Sequence, residues 1–414
     1  MIAYDRFTLT NGLRILVHRD TSTPIVAINI LYNVGSRDEQ PDRTGFAHLF
    51  EHLMFGGSKN IPKYDAPLER VGGENNAFTN NDITNYYLTV PVQNLETAFW
   101  LESDRMADLA FSPKSLKVQR NVVVEEFKQN YLNQPYGDAW LLLRPLAYKI
   151  HPYQWATIGK DIAHIEQAKM DEVKDFYHRF YNPNNAILTI AGDVDLENIH
   201  LLCKKWFGPI TKDYPLSRSI PAEPPQTSPR KLEVKRDVPY DAIYKVYHMC
   251  DRRNPAYYAS DLISDILSGG KSARFYNELI KKRQLFSDIN AYITGDIDGG
   301  LFVVTGKLIK GVEMAVAEEA INIELRKICL QEVEEKELQK VKNRVESSLI
   351  FSELSVLDKA MNLAYYEWLG EPSLINTTID RYLSVSAGEI KTEANKILCE
   401  ENCSTLYYYS TQKA

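Results

Sequence analysis

Two hydrophobic rhythms alternate along the chain. Short apolar runs rich in β-branched and aromatic residues mark buried strands at Leu13–Val17, 25–34, 85–90 (NYYLTV) and 186–191 (AILTIA). Between them, apolar residues recur at helical spacing near 46–55, 94–109, 114–132, 137–148 and 171–181. Asn11-Gly12, flanked by Phe7-Thr8-Leu9 and Leu13–Val17, predicts a two-residue hairpin. The stretch from Tyr214 to Pro229 holds Pro215, Pro221, Pro224, Pro225 and Pro229 and reads as an extended linker. After it the order of elements repeats: strand 242–249, helix 257–267 closing on Gly269-Gly270, strand 300–307, helices near 311–329, 336–352 and 389–399, and strand 404–409. Two copies of one α+β unit account for this order, with a first domain at 1–213, a linker at 214–232 and a second domain at 233–414.

Composition narrows the classes. A chain of 414 residues, 44% hydrophobic, can bury a large core and is long for one domain. A net charge of −7, with no basic run interleaved with aromatics, argues against a nucleic-acid partner. Cys203, Cys250, Cys329, Cys399 and Cys403 form no Cys-x-x-Cys pair and read as reduced core thiols. No apolar stretch has the length to cross a bilayer, so no membrane role is expected. The polar start MIAYDRFTLTNG lacks a basic segment followed by an apolar run. The expected setting is cytoplasmic, or periplasmic if a signal peptide has been removed.

The chemistry lies in the first half. Residues 46–55 read as a buried helix, with Thr44 placed to cap it and Gly56-Gly57 to end it. On it sit His48, Glu51 and His52. At 3.6 residues per turn the two imidazoles share one face and can grip one metal ion. Glu51 adjoins them and can act on a water without being a ligand. The chain has only eight histidines, so this spacing is informative. Buried imidazoles and a carboxylate without partners are costly, and a metal removes that cost. H-x-x-E-H inverts the zincin order and marks the inverzincin metallopeptidases. Catalytic zinc takes three protein ligands and keeps a position open, so a third must come from elsewhere. The helix at 115–131 offers Glu125-Glu126, whose side chains diverge by about 100°; periodicity does not choose between them. His151, before Pro152, is not taken as a ligand; Trp155 and Gly159 read as packing and turn residues, and the remaining histidines as structural.

In order along the chain, TGFAHLFEHLMFGGS, GGENNAFTNNDITNYYLTVP, QRNVVVEE, HPYQWATIG and FYHRFYNPNNAILTIAGDV resemble the pitrilysin/insulinase-type zinc peptidases, in the branch that includes the mitochondrial processing peptidase. The resemblance covers most of residues 1–200 and is weaker over 230–414. It implies an α+β fold of two homologous units, each an antiparallel sheet covered by helices, together forming half of a clamshell around the substrate. It implies one Zn2+ per chain on His48, His52 and Glu126, with Glu51 as catalytic base and Glu125 as a structural residue. Where the family often has Glu seven positions before the ligand, this chain has Gln119. Asn76, Ala77, Phe78 and Thr79 fall on the family's substrate-pairing edge strand.

The second copy has no histidine on helix 257–267. Complete enzymes of this kind bring an Arg and a Tyr, seven positions apart, to the active site after a Gly-Gly turn. Those positions fall here on Ile280 and Ser287. The resemblance therefore implies a zinc-bearing endopeptidase subunit for unfolded peptides, with a homologous partner supplying Arg and Tyr in a heterodimer, and a homodimer as the fallback. A weak or silent core subunit of the same family is the alternative.

Overall fold

A computed structural model describes residues 1–211 and 218–412. The first sheet consists of β1 (Asp5–Thr8), β2 (Arg14–Arg19), β3 (Ile25–Tyr32), β4 (Glu74–Thr79), β5 (Thr84–Pro91) and β6 (Ala186–Gly192), in the order β1-β2-β6-β3-β5-β4. The second consists of β7 (Arg230–Arg236), β8 (Ala242–His248), β9 (Phe286–Ile293), β10 (Leu301–Leu308) and β11 (Cys403–Ser410), in the order β7-β11-β8-β10-β9. With β1 set aside, the two orders are one topology. Each sheet has one parallel pair, β2 with β6 and β7 with β11, and is otherwise antiparallel.

One hydrogen-bond motif fixes the correspondence residue by residue. Asn185 Nδ2 donates to Phe180 O (2.8 Å) and Asn33 O (3.0 Å). Asn402 Nδ2 donates to Ile397 O and His248 O, both at 2.8 Å. Each asparagine ties the entry of the last strand to the end of the helix before it and to the end of the neighbouring strand.

The compact units are not simple halves. Residues 129–154 group with the second sheet, and 350–377 with the first. Helix Val356–Leu369 packs on β3 and β6, placing Val356 and Ala360 against Ala27 and Ala191. Helix Ala139–Ala147 covers the second sheet through Leu143 and Ala147, against Tyr244, Val246 and Leu406. The other face of that sheet carries helices Tyr257–Ser268, Met314–Leu330 and Ala387–Ile397. A strand covered on both faces is mostly apolar, as β3 and β6 are; their buried polar residues are hydrogen-bonded, Asn29 Oδ1 accepting from Asn85 Nδ2 (2.7 Å) and Thr189 Oγ1 donating to Ala360 O (2.8 Å).

Lys359 tethers the covering helix to the first sheet through Asp20 (2.6 Å), both side chains largely buried. The hydrogen bond from Lys359 holds the Asp20 carboxyl well below its ordinary range. A depressed folded-state pKa contributes stability above the unfolded pKa and loses it as pH falls through the folded value. Lys359→Met should therefore lower unfolding stability by roughly 1–3 kcal/mol at pH 7, with the difference shrinking as acid protonates Asp20. Urea unfolding of both proteins across the acid range measures this.

Two local expectations change. The first hairpin has a three-residue loop: Gly12 N donates to Leu9 O and Leu9 N to Leu13 O, with Gly12 at φ 91°. The bulge conformation takes the glycine, so Asn11-Gly12 does not form the two-residue turn. The Pro-rich stretch from 218 to 229 contains no helix or strand, but Glu223 anchors it by accepting from the amides of Lys149, Ile150 and His151 at 2.8, 2.8 and 2.9 Å. Tyr214 and Pro215 lie outside the described residues. No helix among the described residues is long and apolar enough to cross a membrane, and all five cysteines are free.

Candidate metal centre

Helix Phe46–Leu53 buries Phe46, Ala47, Leu49, Phe50 and Leu53 and turns His48, Glu51 and His52 towards a polar face. Its N-terminus is built differently from the expected Thr44 cap. Gly45 holds that position at φ 89°, and a Cβ there would lie 2.7 Å from Ile158 O. Thr44 is engaged elsewhere, accepting from Lys160 N (3.0 Å) and pairing with His164 Nδ1 (2.9 Å). The cap comes from a distance: buried Glu39 accepts from Gly45 N (2.9 Å) and Ala47 N (2.8 Å). A carboxylate at a helix N-terminus meets both the orphan amides and the positive end of the dipole. Glu39→Ala should lower stability by roughly 2–4 kcal/mol, because two buried amides lose their acceptor; thermal or urea unfolding reads this directly.

Helix Pro113–Phe127 supplies the third group. Glu126 Oε2 lies 3.7 Å from His48 Nε2 and 3.5 Å from His52 Nε2. One ligand atom from each residue can be chosen so that all lie within 4.8 Å of one another. Tetrahedral ligands at about 2.0–2.1 Å from zinc stand about 3.3 Å apart, so small adjustments would close the set on one ion. Among the described residues no other group of three or more His, Cys, Asp or Glu converges in this way. Glu125 points away, exposed and paired with Lys128 (2.8 Å). The choice that helical spacing leaves open falls, in the structure, on Glu126. A π-helical turn, Lys128–Leu132, follows at once; such turns often accompany functional sites. Gln119 sits two turns earlier on the same helix, half-buried.

The electrostatics suit a cation. Burial pushes His48 down to about 4, so the imidazole is neutral, the form that ligates. Its Nδ1 is buried without a hydrogen-bond partner among the described residues, which leaves Nε2, the atom facing Glu126, to anchor the ring. Contact with His52 lowers Glu126. Burial raises Glu51, whose Oε2 accepts from Thr79 Oγ1 at 2.6 Å.

β4 is an edge strand whose residues alternate exposed and half-buried. Asn76 and Phe78 face outward, and Ala77 and Thr79 inward. Thr79 therefore reaches Glu51, a contact the sequence pattern did not reveal. Beneath the helix lies a second unforeseen feature. Arg105 and Glu102 form a fully buried pair with contacts of 2.6–2.9 Å. Arg105 stacks over Tyr86 and Tyr64, and Tyr64 donates to Glu102 at 2.6 Å. Arg and Glu three apart in an apolar helix were its only trace in the sequence.

The remaining positions fall elsewhere. His151 is buried against Asp298 (3.2 Å). Trp155 Nε1 donates to Ser36 O (2.9 Å), and Gly159 adopts φ 100° against Thr44 O. Ile280 packs half-buried against the second core, and Ser287 donates to Lys307 O (3.2 Å).

Two imidazoles and a carboxylate around one point, with a second carboxylate beside them, form the constellation of an inverted-zincin metal site. Comparison with known proteins agrees. The model for Insulinase (Peptidase family M16) matches residues 14–148, which contain His48, Glu51, His52 and Glu126. The model for the Peptidase M16 inactive domain matches residues 167–345. The chain is 27% identical to the zinc protease PqqE of Helicobacter pylori, over 98% of this chain and 92% of that protein. It is 24% identical to the uncharacterized zinc protease YmxG of Bacillus subtilis, over 96% of each. The crystal structure of a protease from Helicobacter pylori matches with a TM-score of 0.93 at 27% identity, covering 99% of this chain and all of that one. The chain belongs to the insulinase-type zinc proteases, peptidase family M16.

Proposed function

We propose that this chain is the metal-bearing subunit of a zinc-dependent endopeptidase acting on unfolded peptides, and that a homologous partner completes its active site. The convergence of His48, His52 and Glu126, with Glu51 alongside, carries this reading. The donor set of two imidazole nitrogens and one carboxylate oxygen suits one Zn2+ per chain. When bound, zinc lowers the pKa of water towards about 7 and polarises the scissile carbonyl. Glu51, steadied by Thr79, takes the proton of the attacking water and returns it to the leaving amine. Burial raises its pKa, which strengthens it as a base.

The free edge of β4, over Asn76, Ala77, Phe78 and Thr79, offers the main-chain groups of alternate residues to an extended peptide. Strand addition of this kind gives affinity with loose sequence preference, and it requires an unfolded substrate. Thr79 contributes through Glu51.

Ile280 and Ser287 cannot supply the charge and hydrogen bonds of an Arg and a Tyr. Losing one oxyanion donor costs roughly a hundredfold or more in rate. The isolated chain should therefore cleave peptides slowly, and a homologous chain carrying Arg and Tyr should raise the rate by about a hundredfold. Full activity from the isolated chain would contradict the need for a partner. The competing reading, a silent structural subunit, predicts substoichiometric zinc in the purified protein.

A further inference from the structure

The duplication allows the two sheets to be compared position by position. With Asn185 matched to Asn402 and Asn33 to His248, the row Ile15–Leu188–Ile30 across β2, β6 and β3 corresponds to Lys231–Thr405–Lys245 across β7, β11 and β8. The first row is fully buried and apolar. In the second, two lysines flank a threonine, and all three line a cavity of about 440 Å³. The fold itself does not require charge there, because the first unit fills the same row with aliphatic side chains. Burying ions is costly and seldom stabilises a fold by itself.

The hydrogen-bonding inventory of the cavity is unbalanced. Lys245 is 4% exposed and makes one hydrogen bond, to Glu318 Oε1 (2.7 Å). Glu318 Oε2 is taken by Tyr407 (2.9 Å), and Glu319 is paired with Arg326. The inner carboxylates are thus engaged within the protein; Glu400, at the exposed rim, is the remaining acid in the lining. On the donor side, an ammonium carries three protons. Lys245 has two to spare, and Lys231 makes no side-chain hydrogen bond or ion pair with the described residues.

We propose that this cavity binds a carboxylate, held between Lys231 and Lys245 beside the hydroxyl of Thr405. The carboxylate is one carried on a peptide C-terminus or on a free organic acid, and none of these three residues is among the metal-centre side chains.

The test uses the full chain with Glu51→Gln, so that no probe is cleaved. Calorimetry or NMR titration compares N-acetyl-dialanine, its C-terminal amide, and succinate. The acid should bind at millimolar concentration or below while the amide does not. Binding of the dialanine acid alone identifies a peptide end, and binding of succinate with or without it identifies a general carboxylate site. Lys245→Ile, which restores the residue type of the first unit, and the exposed Lys231→Ile should each weaken binding about tenfold or more, the value of one charged hydrogen bond. Circular dichroism checks the fold of both. Equal binding of acid and amide, no binding of any probe, or unchanged affinity in a folded variant would overturn the proposal.

Discussion

Glu51→Gln should retain one zinc per chain and lose about a hundred- to ten-thousandfold in peptide hydrolysis, the usual value of a positioned general base. The substitution preserves shape, and the carboxamide oxygen can still accept from Thr79 Oγ1, now 2.6 Å from Glu51 Oε2. What it removes is the ability to take up a proton. Glu51 is absent from the three side chains that converge as ligands, so the metal content should not change. A Glu51→Gln protein that still cleaves peptides at the wild-type rate would exclude the base role.

His48→Ala and Glu126→Gln should both lose the metal, and activity with it. Either change takes one of three donors from a set in which the carboxylate oxygen lies 3.5–3.7 Å from the two imidazole nitrogens. Removing only an outer partner of a metal ligand typically costs about 10- to 100-fold in affinity, and removing a ligand should cost more. Glu125→Gln is the matched control. Its carboxylate faces solvent beside Lys128, so zinc and activity should persist. Elemental analysis of the three proteins separates the outcomes. If Glu125→Gln lost zinc while Glu126→Gln kept it, the assignment on this helix would be reversed.

The parts of this molecule governed by short-range patterns were readable in advance. His48, Glu51 and His52 lie within two turns of one helix, so 3.6-residue geometry alone brings the imidazoles together. The repeated order of strands and helices announced the duplication, and the shared topology of the two sheets bears it out. Features that depend on tertiary approach were not readable. Helical spacing could not choose between Glu125 and Glu126, because the choice depends on which face of helix Pro113–Phe127 meets the histidines. Glu39 caps a helix seven residues away in sequence through a loop that carries no capping signal. Thr44 looked like the cap by residue type but serves His164 and Lys160. The family pattern places Thr79 on the substrate-pairing strand, but the contact of its hydroxyl with Glu51 depends on how β4 meets the metal helix and has no local signature. The grouping of helix Val356–Leu369 with the first sheet has no local signature, since an amphipathic helix does not encode which sheet it covers.

The most direct test is X-ray absorption at the zinc edge of the purified protein. The account predicts a first shell of nitrogen and oxygen at about 2.0–2.1 Å, with the multiple scattering of two imidazoles. Sulfur scattering at about 2.3 Å, or a spectrum unchanged by His48→Ala, would place the metal elsewhere and contradict it.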